Sequence, residues 1–276
     1  PRAASLQVAT TQSSQFISAL LLIAPWLPGG LTLKLEGEIT SRSYIQMTIG
    51  LLDALGASVR SSDNLRIIRV APPGGASGLL GFEYTVEPDA SSATYFWGAA
   101  ALFPGGICRV EGLDARSLQG DAAFPEILSR MGATMIREDD PPSIGVRGPT
   151  TLAPIMADMS DMPDAAITLA VVASFAVGRS IIRGLRTLRV KETDRIAALQ
   201  AELSKVGVKV ETNVLGDPDA ITVTAPPGGV DCTGGCPRVE FDTYDDHRMA
   251  MGLALIGLRR PNTFIRRPGC VAKTYP

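Results

Sequence analysis

Histidine is almost absent from this 276-residue chain, where His247 is the only one. Cysteine is scarce too, with four residues: Cys108, Cys232, Cys236 and Cys270. Cys232 and Cys236 share a Gly-rich stretch, but a structural zinc site wants more nitrogen and sulfur ligands close by. The reading is therefore no metal, and reduced thiols of the kind found in cytosolic proteins. Aromatic residues make up only 5% of the chain. Together with abundant Ala, Gly, Val, Leu and Ile, this favours helices packed closely on sheets over a β-sandwich or a disordered chain. Charge of either sign is not in excess: the formal net charge is −2. That excludes the broad basic surface of a nucleic-acid binder, though not a local cluster of Arg and Lys. Long apolar runs are missing as well. Residues 20–27 are interrupted by Pro25 and residues 167–177 stop at Gly178, well short of the roughly 20 residues of a membrane span. The start, Pro1-Arg2-Ala3-Ala4, has neither an initiator Met nor a signal-peptide layout.

What the chain does have is a long internal repeat. A polar start followed by a small-residue apolar helix recurs at 13, 91, 164 and 246. The predicted helices are 16–24, 94–102, 166–176 and 249–258. Each leads through a Pro- or Gly-containing turn to a short strand: 31–35, 107–110, 180–182 and 263–265. A second helix follows in the first three units, at 44–55, 122–131 and 193–206. It closes on Gly56-Ala57, Gly132-Ala133 or Gly207-Val208, where glycine is suited to a helix C-terminus. Further strands are predicted near 66–70 and 221–223. The unit reads strand, helix, strand, helix, strand, strand. It occurs about three and a half times, which predicts an α/β fold and a longer parent protein cut at both ends. Residues 1–86 are expected to form the remaining part of one lobe, and 87–276 a second.

Three segments concentrate chemistry. Ser13-Ser14-Gln15 puts two hydroxyls and an amide at a helix N-terminus, where free N–H groups favour an anion. Ser91 and Ser92 are read as ordinary N-caps. Residues 188–195, Leu-Arg-Val-Lys-Glu-Thr-Asp-Arg, set Lys191, Glu192 and Arg195 within one turn of a helix start. Strands at 180–182 and 185–190 are expected to deliver Lys191 to the mouth of a sheet, where α/β proteins bind ligands. Such a trio can bind an anion and move a proton. In residues 242–249, Arg248 at a helix start opposes the helix dipole unless an anion or a carboxylate offsets it. His247 there is read as a hydrogen-bonding residue of the helix start.

Taken in order, Ser13-Ser14-Gln15-Phe16, Asp89-Ala90-Ser91-Ser92-Ala93, Met162-Pro163-Asp164-Ala165-Ala166, residues 189–195, residues 242–251 and Ala272-Lys273-Thr274-Tyr275-Pro276 resemble the motif series of the 5-enolpyruvylshikimate-3-phosphate (EPSP) synthase family. The resemblance runs from Ser13 to Pro276. It implies a two-domain, inside-out α/β barrel built from repeated βαβαββ units, with the site in the cleft between domains. It also implies a carboxyvinyl transfer from phosphoenolpyruvate to the 5-hydroxyl of shikimate 3-phosphate, in the shikimate pathway to aromatic amino acids. The implied protein is cytoplasmic and monomeric when complete. It needs no cofactor and no metal, binds neither nucleic acid nor membrane, and is of the kind inhibited by glyphosate.

By the same resemblance, Ser13, Ser14 and Ser41 hold the phosphate of shikimate 3-phosphate, and Gln15 touches both substrates. Tyr44 packs on the acceptor, Asp164 grips its hydroxyls and Lys191 contacts it. Glu192 is the carboxylate that moves a proton at the enol carbon. Arg195 and Arg248 clamp the phosphoenolpyruvate carboxylate, and Lys273 stands beside its phosphate. Asp164, Lys191 and Glu192 are thus the catalytic candidates, with their individual proton roles open. Thr187 departs from the family's usual Asn, a hydroxyl in place of an amide. The family's Lys-Ser pair, further arginines and Gly-rich loop belong before Pro1, so this chain by itself is expected to be a poor catalyst. Two rivals are weighed. The sister transferase that acts on UDP-N-acetylglucosamine lacks the Arg-Val-Lys-Glu-Thr-Asp-Arg pattern. A non-catalytic module would bind the phosphorylated metabolite without turnover.

Overall fold

The computed structural model describes residues 3–9, 13–75 and 78–275. Two compact units divide the chain, Pro1–Val86 and Glu87–Pro276.

In the first unit β1 (Ala4–Val8), α1 (Gln15–Ile23), β2 (Leu31–Leu35), α2 (Arg42–Ala54), β3 (Ser58–Ser61) and β4 (Ile67–Ala71) follow one another. They realise the βαβαββ unit. The sheet order is β1-β2-β4-β3, with β1 and β2 parallel and the other pairs antiparallel. Leu31, Leu33 and Leu35 alternate inward along β2. They meet Leu21 of α1, Ile45 and Leu52 of α2, and Ile68 and Val70 of β4 in one core. Gly30 is required where β2 begins: its φ is +79°, and a Cβ there would lie 2.2 Å from the Val70 carbonyl oxygen.

The second unit repeats the plan. α3 (Ala90–Ala101), β5 (Ile107–Glu111), α4 (Phe124–Arg130), β6 (Thr134–Asp139) and β7 (Pro142–Arg147) come first. β8 (Met156–Asp158), α5 (Ala166–Ala173), β9 (Arg179–Arg183), α6 (Arg195–Ser204), β10 (Lys209–Val214) and β11 (Asp217–Thr224) follow, and then β12 (Val239–Phe241), α7 (His247–Arg259) and β13 (Thr263–Ile265). The sheets are β5-β7-β6, β8-β9-β11-β10 and the pair β12-β13. None of the described sheets closes on itself. The architecture is the mixed α/β fold expected from the repeat. One departure is that α3 has no opening strand, since residues 79–89 form no ladder.

The Gly-small signatures act as read. Gly56 N–H donates to the Asp53 carbonyl and Ala57 N–H to that of Leu52. The same pair of bonds recurs at Gly132-Ala133 and Gly207-Val208. This is the Schellman closure, which satisfies the last helical carbonyls. At the core of the second unit α5 is buried along its whole length, which fits a helix apolar on every face. Trp97 of α3 is fully buried, and its indole N–H donates to the Ile144 carbonyl at 3.1 Å.

Two local expectations are corrected. Residues 185–190 are not extended: after β9, Gly184 turns the chain at φ +76° and residues 186–190 wind into a 3-10 turn. The Leu188 N–H donates to the Leu185 carbonyl, and the three-residue spacing buries both side chains. Ser91 and Ser92 do not cap α3. Asp89 does, accepting from the Ser91 N–H, while both serine hydroxyls donate to its carboxylate. A carboxylate is the stronger acceptor and collects all three donors.

Candidate active site

Parallel strand pairs decide where the candidate residues fall. β8 and β9 run parallel, as do β12 and β13. The segments after their carboxyl ends carry Asp164 (after β8), Lys191, Glu192 and Arg195 (after β9), Asp246, His247 and Arg248 (after β12) and Lys273 (after β13). This is the edge at which open α/β sheets bind ligands.

Arg195 opens α6 and is 1% exposed. Its Nε donates to Asp246 Oδ2 at 2.7 Å, Nη1 to Asp164 Oδ1 at 2.8 Å, and Nη2 to Glu192 Oε2 at 2.9 Å and Asp246 Oδ1 at 3.2 Å. Asp246, fully buried, also caps α7 by accepting from the Arg248 and Met249 N–H groups. Asp164 sits in the turn before α5 and is met by two more cations, Lys191 Nζ and Arg248 Nη2, each at 3.5 Å. Lys273 Nζ donates to Glu192 Oε1 at 2.5 Å. Four cations (Lys191, Arg195, Arg248, Lys273) thus face three carboxylates (Asp164, Glu192, Asp246). Such a gathering of cations can meet an anionic ligand.

Burial pushes the Asp164 carboxyl up, but Arg248, Lys191 and Arg195 outweigh it and hold it below the usual range. Burial also raises Glu192; Lys273, a backbone N–H and Arg195 then bring it down to about 2. Both are carboxylates at neutral pH, and so proton acceptors. His247 is 5% exposed, and burial followed by the Arg248 charge lowers its imidazole, which stays neutral. Its Nδ1 is 3.9 Å from Glu192 Oε1. Asp121 is almost fully buried nearby: burial pushes its carboxyl up to about 6 against the pull of Arg248, and Asp164 and Asp89 add to the rise.

The remaining candidates lie in the first unit. β1 and β2 are parallel and end together, Val8 against Leu35. α1 and α2 therefore start at the same edge of their sheet. Ser14 is the buried residue preceding α1, Gln15 is its first residue, and the Gln15 N–H donates to Ser13 Oγ at 3.2 Å. Ser41 precedes α2 with φ +49°, and Tyr44 lies in that helix's first turn. The Ser18 and Thr48 hydroxyls, 2.8 Å apart, tie the two helices together.

The sequence reading passed over three residues of the second unit. Asp246 carried a signal, since its place before His247-Arg248 is that of an N-cap. Asp121 and the Ser91 hydroxyl, 3.2 Å from Arg248 Nη2, carried none, because their approach to the site depends on how α3 packs. Thr187 Oγ1 is buried without a hydrogen-bond partner. Among the described residues, no group of three or more His, Cys, Asp or Glu side chains is placed to hold a metal ion.

Residues 2–276 match the family model described as EPSP synthase (3-phosphoshikimate 1-carboxyvinyltransferase). The 3-phosphoshikimate 1-carboxyvinyltransferase of Photorhabdus laumondii is 41% identical over 96% of the chain, and that of Xenorhabdus nematophila 42% over 96%. In each case the chain spans 58% of the relative's length. The structure of EPSP synthase from Acinetobacter baumannii superimposes with a TM-score of 0.74 at 26% identity, covering 99% of this chain and 60% of that one. The enolpyruvyl transferase NikO from Streptomyces tendae, at 21% identity and a TM-score of 0.67, shares the fold; 92% of this chain and 55% of that one are covered.

Proposed function

This chain belongs to the EPSP synthase family, and on that premise we propose that it carries much of the site for enolpyruvyl transfer from phosphoenolpyruvate to the 5-hydroxyl of shikimate 3-phosphate. The observation that carries the reading is the buried Arg195 with its three carboxylates, ringed by Lys191, Arg248 and Lys273. Two anions must meet during the reaction, and such a ring offsets their repulsion.

Each residue has work to do in this reading. Asp164, ionised and close to Lys191, accepts the proton of the attacking hydroxyl as its oxygen bonds to the enol carbon. The methylene carbon takes up a proton at the same stage, giving a tetrahedral adduct. Loss of that proton then expels phosphate and restores the double bond. Glu192 faces the methylene carbon as the shuttling carboxylate. At about 2 it is ionised but only weakly basic, so the shuttle works once its pKa is raised. To donate a proton, it must first be relieved of Lys273, which a bound anion does by drawing the lysine to itself. Arg248 and Lys273, both more accessible than Arg195, hold the donor's carboxylate and phosphate. Arg195 adds its charge from behind and keeps Glu192 and Asp164 in place. Ser13, Ser14, Gln15, Ser41 and Tyr44 serve the phosphorylated acceptor, with hydroxyls and helix N-termini suited to phosphate.

The test is phosphate release from the two substrates by the naturally encoded polypeptide, beside thermal melts. Lys191→Ala and Asp164→Asn should each lower kcat by roughly 100-fold or more. Lys191→Ala should leave the melting temperature within a few degrees of the wild type, since its ammonium is partly solvated. Near-normal turnover in either variant overturns the reading.

A further inference from the structure

Tyr95 lies outside the family motifs quoted above, yet it stands at the charged cluster. It belongs to α3 and is 5% exposed. Its hydroxyl is sealed from solvent and lies outside full hydrogen-bond geometry, with Arg248 the side chain poised to donate to it. The Arg248 guanidinium is its principal charged neighbour, with Arg195 and Asp164 also within electrostatic range. Burial pushes the phenol up, and Arg248 only partly opposes this, so it remains neutral at physiological pH. Ser91, four residues earlier, occupies the same face of the helix, and its Oγ is 3.2 Å from Arg248 Nη2. The arginine thus meets the Ser91 oxygen directly, and the Tyr95 hydroxyl lies on the same helix face within its electrostatic reach. A phenylalanine would fill the space of Tyr95 without shutting a hydroxyl away from water, so the hydroxyl does not serve packing.

We propose that Tyr95 is a positioning residue: its phenol oxygen, with Ser91 Oγ, sets the plane and reach of the Arg248 guanidinium toward the anionic donor. A guanidinium only donates hydrogen bonds, so the phenol oxygen is the acceptor in this pairing. A neutral oxygen can steer the arginine without cancelling the charge that a carboxylate or phosphate needs, as another aspartate would. The inference rests on the function proposed above.

The experiment compares wild type, Tyr95→Phe, Arg248→Lys and the double variant in the naturally encoded polypeptide. Tyr95→Phe should raise KM for phosphoenolpyruvate roughly five- to twenty-fold, with KM for shikimate 3-phosphate changed less than about two-fold. Its melting temperature should stay level or rise. In the Arg248→Lys background the substitution should add little. An unchanged KM for phosphoenolpyruvate overturns the inference. So does an equal rise in both KM values with a lower melting temperature, or an undiminished effect in the Arg248→Lys background. If the wild type releases no phosphate, the proposed function falls, and the inference is read from stabilisation by phosphoenolpyruvate alone. Tyr95→Phe should then need several-fold more of it than wild type. An equal requirement, or no stabilisation of the wild type, overturns the inference.

Discussion

A guanidinium withdrawn from water costs several kcal/mol unless carboxylates replace the lost solvent, and Arg195 has three. Each of those carboxylates is anchored separately: Asp246 by capping α7, Asp164 by the turn before α5, and Glu192 by Lys273. The arginine is thereby fixed, and it fixes Glu192 and Asp164 in return. Glu192 connects this arrangement to pH. Its carboxyl stands at about 2 in the folded chain against an ordinary 4.5. A depressed acid contributes stability that is present above the unfolded value and lost as pH falls through the folded one. The wild type should therefore lose melting temperature as pH drops from 4.5 toward 2, and Glu192→Gln should flatten that decline. An acid series of thermal melts checks it, and identical slopes would remove Glu192 from the account. Lys191, Glu192, Arg195, Arg248 and Lys273 were legible because charges crowd into short motifs. Asp121 and Tyr95 were not, since a single Asp or Tyr in an apolar helical stretch has no local signal.

At the scale of elements, carboxylates cap three helix starts and glycines close three helix ends. Asp89, Asp194 and Asp246 cap α3, α6 and α7, each accepting from backbone N–H groups. Between these ends, small residues allow close approach. A Cβ on Gly98 of α3 would lie 2.7 Å from Thr168 Cγ2 of α5 and 3.4 Å from both Val172 Cγ2 and Leu255 Cδ1. Gly98→Ala gains about 1 kcal/mol of helix propensity, whereas overpacking a core costs about 1–3 kcal/mol. Thr168 is β-branched and stiff within its helix, so it yields poorly and the cost wins. The expected result is a net loss of up to about 2 kcal/mol in denaturant unfolding, and a gain in stability would show that the helices can part. The helices themselves could be anticipated from their small apolar composition. The 3-10 turn at residues 186–190 could not, because Leu185 and Leu188 suit a strand or a turn equally until neighbouring elements bury them.

For the molecule as a whole, two cores stand in place of one. The first gathers Leu21, Leu33, Ile45 and Ile68; the second is built on α3, α5 and α7. Leu33→Ala and Leu169→Ala each remove a fully buried side chain and should each cost roughly 2–5 kcal/mol. Each should act on its own unit: in urea, probes placed in the two units should report separate shifts. A single transition moved equally by both substitutions would mean that the cores unfold as one. No described helix is long and apolar enough to cross a membrane, in line with the interrupted apolar runs.

By itself the sequence determined the repeat, the alternation of helix and strand, the Gly-terminated second helices and the motifs that place the chain in its family. Those properties depend on neighbours within a few residues, or on a pattern that returns along the chain. Tertiary structure alone decided that Arg195 is enclosed by Asp164, Glu192 and Asp246, that Asp89 and not a serine caps α3, and that the Ser91 hydroxyl lies against Arg248. The reason is distance along the chain. A carboxylate that holds Arg195 is 51 residues away at Asp246, and the hydroxyl beside Arg248 is 157 residues away at Ser91. Such pairs meet only once α3, α5, α6 and α7 have packed into one core.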